Sequence, residues 1–153
     1  VALATLGSAL LLGGAFLFEA LGYAPCRMCI WQRWPHAFAI GFGVLILAGL
    51  APRTLAWAGA AAAALTAGLG FYHAGVELGW LPGPASCSGG GAGLSGLSGA
   101  DLLSTEAATA VVMCDEVVWS FAGLSMAAWN GILSLGLAAV WLTAAWRRRS
   151  AMP

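Results

Sequence analysis

Charge is the first thing this chain lacks. Of its 153 residues only 8% are charged, none is lysine, and only two are histidine. An ordinary soluble domain is about one quarter charged, so a solvated globular fold is excluded. The same scarcity removes most of the polar equipment used for hydrolysis, phosphoryl transfer or nucleic-acid binding. What the chain does have is 61% hydrophobic residues, a mean hydropathy of +0.88, and four cysteines: Cys26, Cys29, Cys87 and Cys114. Whatever chemistry it performs must rest largely on those sulfurs.

A bilayer core of about 30 Å needs roughly 20 apolar residues at 1.5 Å per residue. Four stretches qualify, at about residues 1–18, 30–50, 55–78 and 119–146. The expected fold is all-α: a polytopic membrane four-helix bundle forming a single domain over residues 1–153. The third stretch is rich in small residues (Gly59, alanines 60–64, Gly68), which suits close helix approach in lipid. The first is read as a span and not a cleaved signal, because it lacks a basic leading region and a small-residue cleavage site.

The arginines set the expected orientation. Arg53 falls in the tight turn between spans two and three, and Arg147, Arg148 and Arg149 follow span four. The positive-inside rule makes these ends cytoplasmic, and with them both termini. The acids Glu19, Glu77, Asp101, Glu106, Asp115 and Glu116 and all four cysteines then share the outer side. For a bacterial inner-membrane protein that side is the periplasm, where disulfides persist.

Two outer loops follow, at about residues 19–29 and 79–118. The second is long, and long ordered loops are usually functional. It opens with the helix-breaking Leu81-Pro82-Gly83-Pro84, and after Cys87 it runs through a Gly-rich stretch expected to be flexible. Ser98 and Asp101 then suit the start of a short helix over residues 101–114. Leu103, Ala107, Ala110, Val111 and Cys114 give that helix one apolar face, so it either lies on the membrane surface or packs as an ordinary loop helix.

Cys26-Arg27-Met28-Cys29 opens the second span. A helix N-terminus stabilises a thiolate through its free amides and positive dipole end. Arg33 lies one turn beyond Cys29, and its side chain is expected to point back towards that sulfur. Cys29 is therefore the expected low-pKa thiol. A haem attachment site is excluded because Ile30 stands where a histidine is needed. A four-cysteine zinc site is disfavoured by the wide separation of Cys87 and Cys114, and no metal is expected. A purely structural pair of disulfides stays open, although a helix-opening C-x-x-C favours redox work.

The run Cys26-Arg27-Met28-Cys29-Ile30-Trp31-Gln32-Arg33 resembles the DsbB family, the bacterial disulfide bond formation protein B. Tyr72-His73-Ala74-Gly75 at the end of span three and Gly123-Leu124-Ser125-Met126-Ala127-Ala128-Trp129 before the last span extend the resemblance to nearly the whole chain. The chain departs from the pattern in its Gly-rich stretch and in Gln32, where some members have an acid. The resemblance implies a membrane thiol:quinone oxidoreductase that reoxidises a periplasmic, DsbA-like thioredoxin-fold protein in disulfide bond formation. In that scheme Cys87 meets the partner, Cys114 exchanges with Cys26, and Cys29 faces a bound ubiquinone or menaquinone supported by Arg33. The quinone passes its electrons to the respiratory chain, the arrangement that keeps the periplasm oxidising.

His73, at the outer end of span three, is a further expected quinone contact or a partner for Glu77. His36 reads as a helix-packing residue, and tryptophans such as Trp31, Trp34, Trp80 and Trp119 as an interfacial belt. Two rivals remain. One is a structural membrane subunit braced by disulfides. The other is a vitamin-K-epoxide-reductase-like quinone oxidoreductase, disfavoured because its C-x-x-C is expected near the last span.

Overall fold

The computed structural model describes residues 1–50, 53–84, 87 and 113–147. Within them are four helices: α1 (Ala2–Ala20), α2 (Arg27–Leu47), α3 (Arg53–Glu77) and α4 (Met126–Arg147). Three of these, α1, α3 and α4, are long and apolar enough to cross a membrane. Helix α2 has the length, at 21 residues, but Gln32, Arg33, Pro35 and His36 interrupt its apolar run. The expected surface helix over residues 101–114 lies outside the described residues except at its end, where Cys114 sits in a turn. The Gly-rich stretch, Arg148 and Arg149 also lie outside them.

The fourth span, expected from near Trp119, begins as a helix only at Met126. Before it, β1 (Ser120–Phe121) pairs antiparallel with β2 (Leu124–Ser125), in the register Phe121↔Leu124. The turn uses Ala122 at φ 52° and Gly123 at φ 78°, both left-handed, as a two-residue hairpin of the right twist requires. Two anchors hold this hairpin on α4. The Ala128 N–H donates to Ser125 Oγ at 3.2 Å, and Trp129 Nε1 donates to the Phe121 carbonyl at 3.0 Å. A short apolar run does not distinguish strand from helix by hydrophobicity alone, so the early start was not excluded by the sequence.

Helix α3 makes its most extensive contact with α4. Small residues permit this. A Cβ at Gly70 would stand 2.7 Å from the Gly131 nitrogen and 2.9 Å from the Ala127 carbonyl oxygen, so the two backbones touch there. In lipid such contact replaces the hydrophobic drive as the source of helix association. At the end remote from the cysteines, Trp141 is fully buried among Ala4, Ala56, Ala60, Ala63, Ala138 and Ala145. The cysteine end is packed differently, and it holds the site.

Candidate active site

Cys26 is the N-cap of α2, and its Sγ accepts the Cys29 N–H at 3.2 Å. A serine or aspartate oxygen usually does this; here a sulfur occupies a position that favours negative charge. Cys29 lies in the first turn with its Sγ 2.8 Å from that of Cys26. From α3, His73 brings Nε2 to 3.5 Å from Cys26 Sγ, and Glu77 follows at 3.9 Å from the same nitrogen.

This arrangement decides where the charge sits. The Cys29 thiol, then His73 and the Cys29 N–H, hold Cys26 well below the usual thiol range against the opposing effect of burial. The sequence reading assigns the low pKa to Cys29. The structure points to Cys26 instead, because the Cys29 N–H and His73 both converge on the capping sulfur.

Arg33 also differs from expectation. Its Nη1 donates to Glu19 Oε2 at 2.6 Å, and its guanidinium lies 4.7 Å over the Phe16 ring. It therefore reaches across to α1, drawn by a carboxylate, and not back along α2 to Cys29. The sequence could have offered Glu19 as a partner, since it is the one acid of the first loop region, but nothing in the spacing selects it.

Cys87 and Cys114 form a disulfide. Both are buried, and they share one apolar cluster with Cys26, Met28 and Val76, with Cys29 and Tyr72 packed against it. Tyr72 also donates its hydroxyl to the Pro82 carbonyl at 2.8 Å, tying the start of the long loop to α3. All four cysteines thus meet at one place, together with His73.

Beside them opens a cavity of about 430 Å³. Leu10, Phe18, Trp119, Met126 and Leu133 give it apolar walls, while Cys29, Arg33, His36 and His73 supply the polar groups. Arg33 Nε and His36 Nδ1 are buried without a hydrogen-bond partner among the described residues. Trp119 stacks here on Phe121 and meets Phe18 edge-on, so it is a wall residue as well as an interfacial one.

The sulfurs of Cys26 and Cys29 and a His73 nitrogen lie within 4.8 Å of one another, close enough to share an ion. Two thiolates on one tetrahedral zinc would stand roughly 3.7 Å apart, from Zn–S bonds of about 2.3 Å. The observed 2.8 Å is well short of that spacing.

The family model described as "Disulfide bond formation protein DsbB" matches residues 1–144. The chain belongs to the DsbB family. With its three span-length apolar helices, it is an integral membrane oxidoreductase of disulfide bond formation. Comparisons with curated proteins and with solved structures returned no match. Among the residues that the DsbB resemblance singles out, the structure gathers Cys26, Cys29, Cys87, Cys114 and His73 into one cluster. It sets Arg33 on the cavity wall, paired with Glu19.

Gln32, Asn130 and Thr66 are what the sequence reading missed. Gln32 and His36 of α2 are hydrogen-bonded to Asn130 of α4, 98 and 94 positions away. A half-buried asparagine in a span is a signal in itself, since polar side chains there are costly unless paired.

Proposed function

We propose that this DsbB-family protein is a thiol:quinone oxidoreductase that reoxidises a DsbA-like thioredoxin-fold partner on the periplasmic face of the bacterial inner membrane. The observation that carries the reading is the meeting of both cysteine pairs in one cluster at the edge of a largely apolar cavity. Disulfide exchange requires a thiolate to attack a disulfide sulfur directly, and a shared cluster brings the pairs into reach.

A partner dithiol exchanges with the Cys87–Cys114 disulfide, which leaves the partner oxidised and the loop pair as two thiols. Cys114 then attacks Cys26 of the Cys26–Cys29 disulfide, Cys87 closes back on Cys114, and the α2 pair is released as two thiols. Cys87 is only 5% exposed. The loop pair must therefore lift from the cluster to receive the partner and return to pass the exchange on.

The cavity suits a quinone head group. Its apolar walls match a planar ring, and Arg33 keeps a buried, unpaired N–H there that can donate to a carbonyl oxygen. Ubiquinone or menaquinone would be held by these groups beside Cys29, with His73 at the same wall. When bound, the quinone accepts two electrons and two protons and carries them to the respiratory chain. The chain's own work is to deliver a dithiol with its charge already placed at Cys26 and to keep water from the apolar walls.

Trapping tests the reading. With Cys114→Ser the loop pair cannot close, so a thioredoxin-fold protein whose single reactive cysteine is pre-activated as a mixed disulfide with a small thiol should be captured by the Cys87 thiolate, with release of that small thiol. A disulfide that merely braces the outer face would give no such adduct, and Cys87→Ser should abolish it.

A further inference from the structure

A directed chain of hydrogen bonds runs through the bundle behind the cysteines. Gln32 Nε2 donates to the Met28 carbonyl at 3.1 Å and faces His73 Nδ1 at 3.0 Å. Gln32 Oε1 accepts from Asn130 Nδ2 at 2.7 Å. Asn130 Nδ2 also donates to Thr66 Oγ1 at 3.3 Å, and Thr66 in turn donates to the Gln32 carbonyl at 3.2 Å. Asn130 Oδ1 lies 2.9 Å from His36 Nε2 and accepts from Ser134 Oγ at 3.3 Å. Gln32, His36, Thr66, His73 and Ser134 are all buried.

The directions are fixed by chemistry. An amide NH₂ has no acceptor capacity. Turning the Gln32 amide over would set its oxygen against the Met28 carbonyl and its nitrogen against the Asn130 NH₂. With Gln32 as donor, His73 Nδ1 must be the lone-pair nitrogen, and the hydrogen of the neutral ring sits on Nε2. That is the nitrogen facing Cys26 Sγ.

We propose that Gln32, held in orientation by Asn130 and Thr66, is a positioning residue that selects the Nε2–H tautomer of His73, so that the imidazole donates to Cys26 sulfur. The opposite tautomer would aim a lone pair at the sulfur and oppose the thiolate that exchange chemistry needs. Gln32 touches neither sulfur nor partner; it acts through His73. The inference rests on Cys26 being an exchanging thiol, but its test needs neither quinone nor partner, so it can fail while that assignment stands.

The titration of Cys26 reads the effect. The groups that face it are Cys29 of α2 and His73 and Glu77 of α3, with Arg33 and Glu116 on the adjoining cavity wall. In reduced protein with Cys87 and Cys114 replaced by serine, the pH profile of Cys26 alkylation is measured by mass spectrometry. Gln32→Met keeps the side-chain length and removes the amide. It should lower the thiolate-dependent rate on the acid limb about fivefold, the size of one ordinary hydrogen bond. Asn130→Leu should lower it less. In a His73→Ala background, Gln32→Met should change nothing further; an undiminished effect there would overturn the proposal. A direct reading that needs no substitution at Gln32 is ¹⁵N NMR of His73 in the reduced protein near pH 8. A protonated Nε2 and bare Nδ1 are expected, and the reverse pattern would equally overturn it.

Discussion

At one end of the bundle Trp141 is enclosed by alanines of α1, α3 and α4, and Gly59 lets the indole lie against the α3 backbone. At the other end the four helices line a cavity of about 430 Å³ that brings together cysteines, histidines and an arginine. The first end is dry and closely packed, built for helix association in lipid. The second keeps space and buried polar groups, both of which weaken packing. The contrast separates the work of the two ends: one fixes the helices so that the other can hold reactive groups without collapsing.

That division can be broken from either side. The largest stability effect belongs to the packed end. Trp141→Ala should cost about 3–5 kcal/mol, the range for truncating a buried aromatic, measured by unfolding in mixed detergent micelles. The alkylation profile of Cys26 in the folded fraction should be unchanged. Gly59→Ala should cost about 1–3 kcal/mol, because a methyl group there would stand 2.8 Å from the enclosed Trp141 ring. Transfer of strain to the cysteine end, seen as altered Cys26 reactivity in either variant, would break the separation.

Changes at the cysteine end should act on chemistry more than on stability. Arg33→Ala should weaken quinone use about tenfold, the effect of losing one charge-assisted hydrogen bond, while partner capture at Cys87 stays intact. Equal loss of both would indicate a folding defect. Cys26, held below the usual thiol range, should stay reactive towards alkylation at neutral pH and lose reactivity only as pH falls through its depressed value. A profile centred on an ordinary thiol would contradict the convergence of donors on the cap. The smallest effect is expected for Glu19→Gln. The pair with Arg33 is partly exposed on the Glu19 side, so its loss should cost under about 1 kcal/mol.

Much of this was legible in the sequence, for reasons that also mark where it stops. Long apolar runs are one-dimensional signals, and they located the helices that became α1, α3 and α4. The C-x-x-C at a helix start carried the redox reading. The run from Trp119 did not declare itself, because the left-handed pair Ala122 and Gly123 turns it into a hairpin before the helix begins. Nor could spacing say which sulfur is charged, since that depends on the cap bond and on His73 arriving from another helix. Arg33 was read along its own helix, whereas its partner Glu19 stands on α1. The Gln32–Asn130 contact joins residues 98 positions apart and exists only once α2 and α4 are packed.

The central claim is that the clustered cysteines pass electrons from a protein dithiol to a quinone. It is tested most directly by adding a reduced thioredoxin-fold partner and a water-soluble ubiquinone analogue to the purified protein and following quinone absorbance. One quinone reduced per partner disulfide formed is the expected result, with turnover abolished in Cys29→Ser although partner capture at Cys87 persists. Wild-type quinone reduction by Cys29→Ser would contradict the account.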